Sequence, residues 1–482
     1  MPPTLPRPFK VTIGMAMLAA PLLATSNVVF MMADDLGWND VGYHGSEIRT
    51  PHIDSIAQRG IQLNRYYASP LCSPTRAALL TGRIPLRFGV DRPIETIGGL
   101  PETERLLTDV LKTAGYGTAL VGKWHLGLAH IKYHPYSRGF DTSYGHLGPA
   151  VDYWTHIWDG GLDWHRNGKV LNEEGYTTEL IGKAAERVIS DRDKAKPLFL
   201  YVAFNAPHGP LQAPPESVSA YDSIQNPRRR TYAAMVSEMD RAVGGILETV
   251  EEEGLTDDTL IVWCSDNGGA VRLGADNSPL RGGKGGAFEG GIRVPAAVWK
   301  PGSIEGGQTF TQMMTVADWF PTIAAATGND LDAGAELDGV DMWSALTTGE
   351  NVQRSEPYVV GVFDSVALID GMWKYVEPLP RGGSGVAHLF RLDQDPEERE
   401  DLAEVEPERF EAMREQLHSF PRTATIAPDV TPPPGPRRGR PGGRPPPNAG
   451  GEGARTPPGR GGGAVDGWKE ITKPPWVEAA DR

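Results

Sequence analysis

Cysteine is scarce in this chain, which has 2 Cys among 482 residues. So few cysteines exclude a scaffold that depends on several disulfide bonds. Basic residues are also in deficit, because 47 Lys and Arg face 62 Asp and Glu and leave a formal net charge of −15. A general nucleic-acid binder needs a positive surface that displaces counterions. We therefore expect no nucleic acid among the partners of this protein.

Long apolar runs are missing too, apart from one near the N-terminus. Arg7 and Lys10 precede a mostly apolar run over 11–24, and the small residues Ala24-Thr25-Ser26 follow. Such a run is short for a bilayer span and typical of a secretory signal. The alternative, an N-terminal core helix, is weakened by a Gly and a Pro inside the run. We predict a signal peptide over 1–26 and no stable membrane span.

The expected compartment follows from two further absences. An exported chain with so few cysteines, and with no Asn-x-Ser/Thr acceptor for glycosylation, differs from most proteins that pass through the endoplasmic reticulum. The sequence therefore predicts a periplasmic or secreted protein, of bacterial origin.

Short apolar strands alternate with helical patterns from residue 27 to about 350. The predicted core strands are Asn27–Ala33, Thr118–Val121, Leu198–Phe204 and Thr259–Cys264, and helical periodicity covers 103–113 and about 231–253. This alternation is typical of an α/β domain with a large, mostly parallel or mixed sheet flanked by helices. We assign that domain to residues 27–350.

The pattern changes beyond residue 350. Short strands with intervening turns (358–363, 366–370, 373–376 and 388–391) and a polar helix over 407–420 predict a smaller antiparallel α+β subdomain over 351–420. Residues 421–464 are rich in Pro, Gly and Arg, a composition that predicts a disordered linker or, alternatively, a tether to anionic polysaccharide. Trp468 and Trp476 return in the segment 465–482, which we expect to dock on the body.

Polar residues follow each of the four predicted core strands directly. In open α/β sheets, ligands bind outside the carboxyl ends of the strands. Any one of these strand ends could be a helix cap or a turn, but four together predict one composite site. The residues are Asp34-Asp35, Gly122-Lys123-Trp124-His125, Asn205-Ala206-Pro207-His208 and Ser265-Asp266-Asn267-Gly268-Gly269.

An all-oxygen set of side chains stands out among these residues. Asp34, Asp35 and Asp266 supply carboxylates and Asn267 supplies an amide oxygen. Hard divalent cations such as Ca²⁺ or Mg²⁺ prefer this set, whereas Zn²⁺ favours Cys and His. Three carboxylates brought close together repel, so a divalent ion is a natural neutraliser.

The segment Leu71–Arg83 predicts the start of a helix. Ser73 is a favourable N-cap, Pro74 suits the first helical position and Gly82 ends the helix. Cys72 then lies at the positive end of the helix dipole, where an anion is stabilised. Read alone, Cys72 could be an ordinary small buried residue.

At this point the chain resembles the type I, formylglycine-dependent sulfatases of the alkaline-phosphatase superfamily, over about 27–420. Cys72-Ser73-Pro74-Thr75-Arg76 fits the Cys-x-Pro-x-Arg signature of that family, followed by Leu80-Thr81-Gly82. Three features are similar to the arylsulfatase B-like branch: the pair Tyr153-Trp154, the run from Arg281 to Lys284, and the final Trp-containing segment. The remaining matches are Ala33-Asp34-Asp35-Leu36-Gly37, Gly122-Lys123-Trp124-His125, Asn205-Ala206-Pro207-His208, Ser265-Asp266-Asn267-Gly268-Gly269 and Arg281-Gly282-Gly283-Lys284-Gly285.

The resemblance implies an alkaline-phosphatase-like fold and a sulfuric ester hydrolase. It implies that a separate maturation enzyme oxidises Cys72 to 3-oxoalanine (Cα-formylglycine), whose hydrate attacks sulfur next to a bound Ca²⁺ ion. The implied metal ligands are Asp34, Asp35, Asp266, Asn267 and the modified residue 72. The implied catalytic set is Cys72, Arg76, Lys123, His125, His208 and Lys284, with Lys123, His208 and Lys284 also binding the sulfate group.

The substrate implied by the resemblance is a sulfated saccharide or polysaccharide. Trp154, His165 and Arg166 lie in an aromatic and basic insertion that suits stacking on a sugar ring and pairing with acidic groups. The same insertion could instead fold its own aromatics inward. Two alternatives stay open for the whole protein: a phosphonate or phosphodiester hydrolase of the same superfamily, and an inactive glycan-binding relative.

Overall fold

The computed structural model of this chain describes residues 26–94, 98–329, 331, 336–362, 364–379 and 385–423. The predicted signal peptide lies outside them apart from residue 26. The predicted linker beyond residue 423 and the segment 465–482 also lie outside them. These assignments, and the boundary at residue 350, stay predictions. Within the described ranges, no helix has both the length and the hydropathy needed to cross a bilayer.

The strands of the described residues form a large sheet and three smaller ones. In chain order they are β1 Asn27–Ala33, β2 Ile61–Leu63, β3 Tyr66–Tyr67, β4 Gly117–Lys123, β5 Thr142–His146, β6 Ile157–Trp158, β7 Gly161–Leu162, β8 His165–Arg166, β9 Lys169–Val170, β10 Leu198–Ala203, β11 Thr259–Ser265, β12 Ala296–Trp299, β13 Gln308–Phe310, β14 Met314–Thr315, β15 Tyr358–Gly361, β16 Ser365–Asp370, β17 Trp373–Pro378 and β18 His388–Arg391.

The α-helices of the same residues alternate with these strands along the chain. They are α1 Pro51–Arg59, α2 Cys72–Thr81, α3 Leu107–Thr113, α4 Thr177–Ser190, α5 Pro215–Ser219, α6 Pro227–Glu252, α7 Glu289–Ile292, α8 Trp319–Ala326, α9 Trp343–Thr348 and α10 Pro407–Ser419.

Two predicted helices differ from these bounds. The helix expected over 231–253 begins earlier, at Pro227, because the Asn226 side chain caps it by accepting hydrogen bonds from the next backbone N–H groups. The helix expected over 103–113 begins only at Leu107. Its start is fixed by Asp109, whose carboxylate accepts the backbone N–H of Leu106 at 2.8 Å.

A ten-stranded mixed sheet forms the centre of the larger unit, in the order β13-β2-β12-β11-β1-β10-β4-β5-β8-β9. The five strands β11, β1, β10, β4 and β5 run parallel, whereas β12 and β8 run antiparallel to their neighbours β11 and β5. The predicted α/β class with a large mixed sheet is confirmed. Both faces of the parallel strands are covered, which explains why they appear in the sequence as continuous apolar runs.

Strand β1 shows how the two faces are covered. Val28 and Phe30 pack into a core with α2, α3 and α8, while Val29 and Met31 pack into a second core with α1, α4 and α6. All four side chains are at most 1% exposed. The sheet is therefore the middle layer of three, and its strand ends are held rigidly from both sides.

The C-terminal part forms the small antiparallel sheet that the sequence predicts. Strands β15, β16, β17 and β18 pair in chain order, and α10 packs on them through Met413 and Leu417. The same core includes Ile84, Ala287 and Ile292 of the larger unit. The small sheet therefore packs directly against the chain segment that follows Lys284.

Candidate active site

Four central strands end together at one edge of the large sheet. Ala33 at the end of β1 pairs with Ser265 of β11, and Met32 pairs with Ala203 of β10. Ala203 pairs in turn with Gly122 of β4. The polar residues that follow these strands are therefore delivered to the same edge, where ligands bind in open α/β sheets.

Hydrogen bonds lock the ends of these strands to one another. The backbone N–H of Asp34 donates to the carbonyl of Ala206, and that of Asp266 donates to Ala33, both at 3.0 Å. The backbone N–H of Asp35 donates to Asp266 Oδ1 at 3.2 Å. Asp35 also adopts a φ of 69°, a left-handed conformation that is uncommon outside glycine. The carboxylates are thus fixed by the fold before any ligand binds.

Cys72 is the first residue of α2 and points into this edge. One ligand atom from each of Cys72, Asp34 and Asp266 lies within 4.8 Å of the other two, and all three residues are buried. Burial raises the pKa of the Cys72 thiol, although the nearby Lys123 and Lys284 charges oppose the shift. An unmodified Cys72 is therefore a neutral thiol at neutral pH.

The prediction that Ser73 caps helix α2 is wrong. The helix begins at Cys72, two residues before the predicted start at Pro74, and the extended residue Leu71 occupies the cap position. Ser73 Oγ instead donates to the carbonyl of His125 at 2.8 Å and accepts the backbone N–H of Ile94 at 2.9 Å. Ser73 thus ties the start of α2 to the loop that carries His125.

Arg76 lies one turn further along α2 and is completely buried. Its Nε and one terminal nitrogen both donate to Asp266 Oδ2, at 3.2 and 2.8 Å, and the other terminal nitrogen donates to the Lys123 carbonyl at 2.8 Å. Burial and the neighbouring Asp34 raise the pKa of Asp266 to about 6, against the opposing effect of Arg76. Arg76 therefore holds a metal-ligand candidate and the end of β4 in fixed positions.

Two lysines pair with the two carboxylates that follow β1. Lys123 Nζ lies 2.5 Å from Asp34 Oδ2, and Lys284 Nζ donates to Asp35 at 2.7 Å. Burial alone would raise the pKa of Asp35, but Lys284 and His208 outweigh it and hold that pKa below its usual value. With Arg76 on Asp266, three cations balance three carboxylates in the protein alone. Mutual repulsion of the carboxylates, which the sequence argument used, is therefore partly relieved without a metal, although Asp34 still raises the pKa of Asp266.

His125 is buried in the same cluster and has a φ of 55°. Neither ring nitrogen has a hydrogen-bond partner among the residues that the structure describes. Burial lowers the pKa of His125 well below its ordinary value, and the charges of Lys123 and Arg76 add to this effect. His125 is thus a neutral imidazole with free proton-accepting capacity.

His208 lies in the loop after β10 and is partly open to solvent. Its Nδ1 is 2.7 Å from the carbonyl of Gly209, which can only accept, so Nδ1 carries the proton and Nε2 lies 3.6 Å from Asp35 Oδ2. Burial lowers the pKa of His208 to about 4. The neutral ring therefore presents an unprotonated Nε2 toward the cluster.

Tyr153 supports this loop, a role that the sequence did not reveal. The Tyr153 side chain is fully buried, and its hydroxyl lies 2.8 Å from the carbonyl oxygens of both Asn205 and His208. The sequence motif Asn205–His208 marked the loop itself, but a contact with a tyrosine about fifty positions earlier leaves no local pattern.

A cation fits the carboxylate cluster because some of its acceptors are unsatisfied. Asp34 Oδ1 and Asn267 Oδ1 are buried and find no hydrogen-bond partner in the described part of the chain. A buried acceptor without a donor is costly, and a bound hard cation would remove that cost. Asp34, Asp35, Asp266 and Asn267 are therefore the residues that could hold a divalent ion, together with residue 72.

The predicted sugar-binding residues lie in different places. Trp154 is 45% exposed and packs against Tyr176, with ring centroids 5.1 Å apart. His165 is buried and its Nε2 contacts Asp163 Oδ1 at 2.8 Å. Arg166 lies over the Tyr144 ring and lines a cavity at the starts of β4 and β10. Trp154 and Arg166 are both exposed, but Arg166 lies where β4 and β10 start, opposite the edge that carries Cys72.

Comparison with known proteins gives concordant results. The family model described as Sulfatase matches residues 26–329. Arylsulfatase J of Mus musculus is 38% identical over 67% of this chain, and N-acetylgalactosamine-6-sulfatase of Homo sapiens is 34% identical over 72% of it. These matches span 56% and 70% of the two relatives, respectively.

A solved structure extends the likeness to most of the described chain. The crystal structure of Ps i-CgsB in complex with k-i-k-neocarrahexaose superimposes with a TM-score of 0.77 at 32% identity. The match covers 83% of this chain and 95% of that chain.

Proposed function

Because this chain belongs to the sulfatase family, we propose that it hydrolyses sulfate esters and that its natural substrate is a sulfated saccharide. One observation carries the proposal: Cys72, three carboxylates and three cations meet at one edge of the sheet. Members of this family generally depend on formylglycine and a metal ion. The same edge contains the residue types that both groups require.

We propose that a separate maturation enzyme converts Cys72 to 3-oxoalanine (Cα-formylglycine), and that Asp34, Asp35, Asp266 and Asn267 hold a calcium ion beside it. When present, the hydrated formylglycine supplies a nucleophilic hydroxyl and the calcium ion supplies positive charge. The unsatisfied oxygens of Asp34 and Asn267 support this assignment. All-oxygen ligand sets of this kind favour calcium over zinc.

The charge balance of the cluster favours an anionic group. Three cations and three carboxylates cancel, so a divalent cation would leave the site with two excess positive charges. Lys123 and Lys284 already point their ammonium groups into the cluster, at Asp34 and Asp35. They can donate hydrogen bonds to the outer oxygens of a sulfate group, where charge accumulates during ester cleavage.

Two histidines are placed to move protons. His125 lies beside the start of α2, and its ring nitrogens have no partner among the residues that the structure covers, so it can accept a proton from a hydroxyl on residue 72. His208 keeps its Nδ1 proton on the Gly209 carbonyl and turns Nε2 toward Asp35. When Nε2 also binds a proton, the imidazolium can donate to the sulfate and pass that proton to the leaving oxygen. Arg76 holds Asp266 and Lys123 in place for both steps.

The relatives and one exposed aromatic side chain support a saccharide substrate. Ps i-CgsB is solved with a neocarrahexaose, and N-acetylgalactosamine-6-sulfatase is named for a sulfated amino sugar. Trp154 offers an exposed indole for stacking on a sugar ring. His165 contacts Asp163 and Arg166 lies over Tyr144, so the proposed contact with sugar rests on Trp154.

The setting of the protein is part of the same proposal. The predicted signal peptide over 1–26 would deliver the chain to a periplasm or to the outside of a bacterial cell. Sulfated polysaccharides are too large to cross a membrane unaided, so a sulfatase acting on them is expected outside the cytoplasm.

The test is a comparison of esters with matched leaving groups. The protein, produced together with a formylglycine-generating enzyme and supplied with calcium, is assayed on 4-nitrophenyl sulfate, 4-nitrophenyl phosphate and a bis-aryl phosphodiester. We expect the sulfate to be cleaved fastest. Preference for the phosphodiester or for a phosphonate would support the hydrolase alternative. A mature protein that cleaves none of them but binds sulfated glycan would support the inactive alternative.

A further inference from the structure

The loop that carries Lys284 is contacted from outside by the C-terminal unit. Arg281, at the start of this loop, donates to the carbonyl of Glu398 at 3.1 Å. Glu289, at its end, donates its backbone N–H to Glu398 Oε2 at 2.6 Å. One residue of the C-terminal unit thus contacts both ends of the loop 281–289.

A buried ion cluster reinforces the second of these contacts. Lys374 of β17 places Nζ 2.9 Å from Glu289 Oε1 and 2.7 Å from Glu398 Oε1, and all three side chains are at most 1% exposed. The other oxygen of Glu289 accepts the Tyr67 hydroxyl at 3.0 Å and lies 3.5 Å from Arg293. Buried charges are costly unless each finds its partner, so this cluster allows few alternative arrangements.

Two contacts between these ends hold the rest of the loop. The backbone N–H of Ala287 donates to Ser365 Oγ of β16 at 3.1 Å. The Arg281 guanidinium lies 3.9 Å from the centre of the Phe288 ring and 5.8 Å from that of Phe390 in β18. Strands β16, β17 and β18 therefore all take part in holding the loop, either directly or through Glu398.

On its other side the same loop forms part of the active site. Lys284 donates its backbone N–H to Gly269 at 3.2 Å, and Gly285 donates to Pro70 at 2.8 Å. The Lys284 side chain crosses to Asp35. The turn is tightly folded, because a Cβ on Gly291 would lie 2.0 Å from the Gly286 carbonyl oxygen. A displacement of Glu289 should therefore also displace Lys284, because the turn between them has little space to deform.

We propose that Lys374 is a positioning residue of the active site, which acts through Glu289 and Glu398 to fix the loop that carries Lys284. The C-terminal sheet then serves as a platform, meaning a rigid support that holds the loop 281–289 in place. It also covers part of the larger unit. The inference rests on the proposed function for the role of Lys284 in binding sulfate. Lys374 itself touches neither the carboxylate cluster nor Cys72 in the described contacts.

A double-mutant cycle on matured protein tests the inference. Lys374→Met should lower kcat/KM for 4-nitrophenyl sulfate at least tenfold, since a misplacement of about 1 Å can cost on the order of a hundredfold. In a Lys284→Ala background, Lys374→Met should lower kcat/KM less than about twofold, because the side chain that Lys374 is proposed to position is already absent. An equal loss in both backgrounds, or no loss in either, would overturn the proposal.

A second measurement does not depend on catalysis. Hydrogen exchange of the Lys284 and Gly285 amides should accelerate in Lys374→Met, while amides of β1 keep their protection. Val376→Ala, a buried change on the same face of β17, is the matched control and should leave exchange in the loop 281–289 unchanged. Lys374→Arg retains the positive charge and should restore most of the protection. If Lys374→Met does not fold, Glu398→Gln replaces it with the same expected readouts.

These readouts separate two kinds of failure. A wild-type protein that cleaves no sulfate ester contradicts the proposed function, while loop exchange that responds to Lys374 still supports the platform. Active wild-type protein with loop exchange that is insensitive to Lys374→Met contradicts the platform and leaves the sulfatase proposal standing.

Discussion

Arg76 and Asp266 form a fully buried pair in which two guanidinium nitrogens donate to one carboxylate oxygen, at 3.2 and 2.8 Å. The third nitrogen donates to the Lys123 carbonyl at 2.8 Å. All three nitrogens of Arg76 are thus engaged by the protein itself. Its contribution to the site is the placement of Asp266 and of the end of β4.

Replacement of Arg76 by lysine is expected to be severe despite the conserved charge. A single ammonium group cannot reach the Asp266 oxygen and the Lys123 carbonyl together. We expect kcat/KM to fall on the order of a hundredfold and the free energy of unfolding to fall by about 3 kcal/mol, the usual cost of breaking a buried pair. Kinetics on 4-nitrophenyl sulfate and urea unfolding measure the two effects.

The matched control is Arg83→Lys, because Arg83 pairs with Glu104 at 2.8 Å while keeping 24% of its side chain exposed. That change should leave kcat/KM within about twofold, because this pair shares no contact with Cys72 or the carboxylate cluster in the described part of the chain. An Arg76→Lys variant as active as the control would contradict the placement role.

Calcium should stabilise the protein through the carboxylate cluster. At a calcium concentration about 100 times the Kd, binding to the folded state alone adds about 2.7 kcal/mol to the free energy of unfolding. Removal of calcium by a chelator should lower the Tm correspondingly, and Asp34→Asn should abolish the difference. Asp240→Asn changes a buried aspartate whose partners are the His52 and Ile53 amides, so its calcium response should persist. An unchanged response in Asp34→Asn would exclude this cluster as the site.

Loss of the Tyr153 hydroxyl should impair both catalysis and stability. Tyr153→Phe leaves the Asn205 and His208 carbonyls without their shared donor, a loss of about 1–3 kcal/mol for buried groups. We expect kcat to fall about tenfold as the His208 loop loosens. Tyr176→Phe removes a similar hydrogen bond, to the Gln212 carbonyl at 2.9 Å, without touching that loop. Equal kinetic losses in the two variants would argue against a specific role for Tyr153.

The stability of the fold should depend on pH through buried histidines such as His134. Burial lowers the pKa of His134 to about 4, from an ordinary value of 6.5. Below pH 6.5 the unfolded chain therefore binds more protons than the folded one, so stability falls as pH falls from 6.5 through 4. A shift of this size corresponds to about 3 kcal/mol.

His134→Gln should remove that part of the pH dependence, because glutamine does not titrate and can still donate to the Leu128 carbonyl that His134 Nε2 contacts at 2.9 Å. Urea unfolding between pH 4 and 7 gives the slope. His130→Gln, at an exposed position four residues earlier, should leave the slope unchanged. If the two variants have the same slope as the wild type, the burial of His134 does not govern its titration.

The sequence was informative where polar, potentially catalytic residues directly follow a core strand. The runs Asn27–Ala33 and Thr259–Cys264 are almost entirely apolar, and the polar residues after them stand out against that background. Because parallel strands end at the same edge of a sheet, the sequence alone predicts that these polar residues lie close together. The fold class followed from the same alternation of strands and helices.

The remainder depends on contacts between distant segments, which leave no local pattern. Nothing near Lys374 in the sequence indicates that it is fully buried with Glu289 and Glu398. Likewise, serine is a residue type that favours helix caps. The Ser73 hydroxyl instead donates to the distant His125 carbonyl, and Leu71 occupies the cap position. Arg166 is basic and follows an aromatic insertion, yet strand pairing places it over Tyr144.

The state of residue 72 is the most direct test of the proposed chemistry. Mass spectrometry of the peptide around Cys72, from protein produced with a formylglycine-generating enzyme, should show a loss of about 18 Da or the hydrate of that product. Sulfatase activity across preparations should rise in proportion to the converted fraction, and Cys72→Ala should be inactive. Full activity in a preparation whose Cys72 is entirely unmodified would contradict the account.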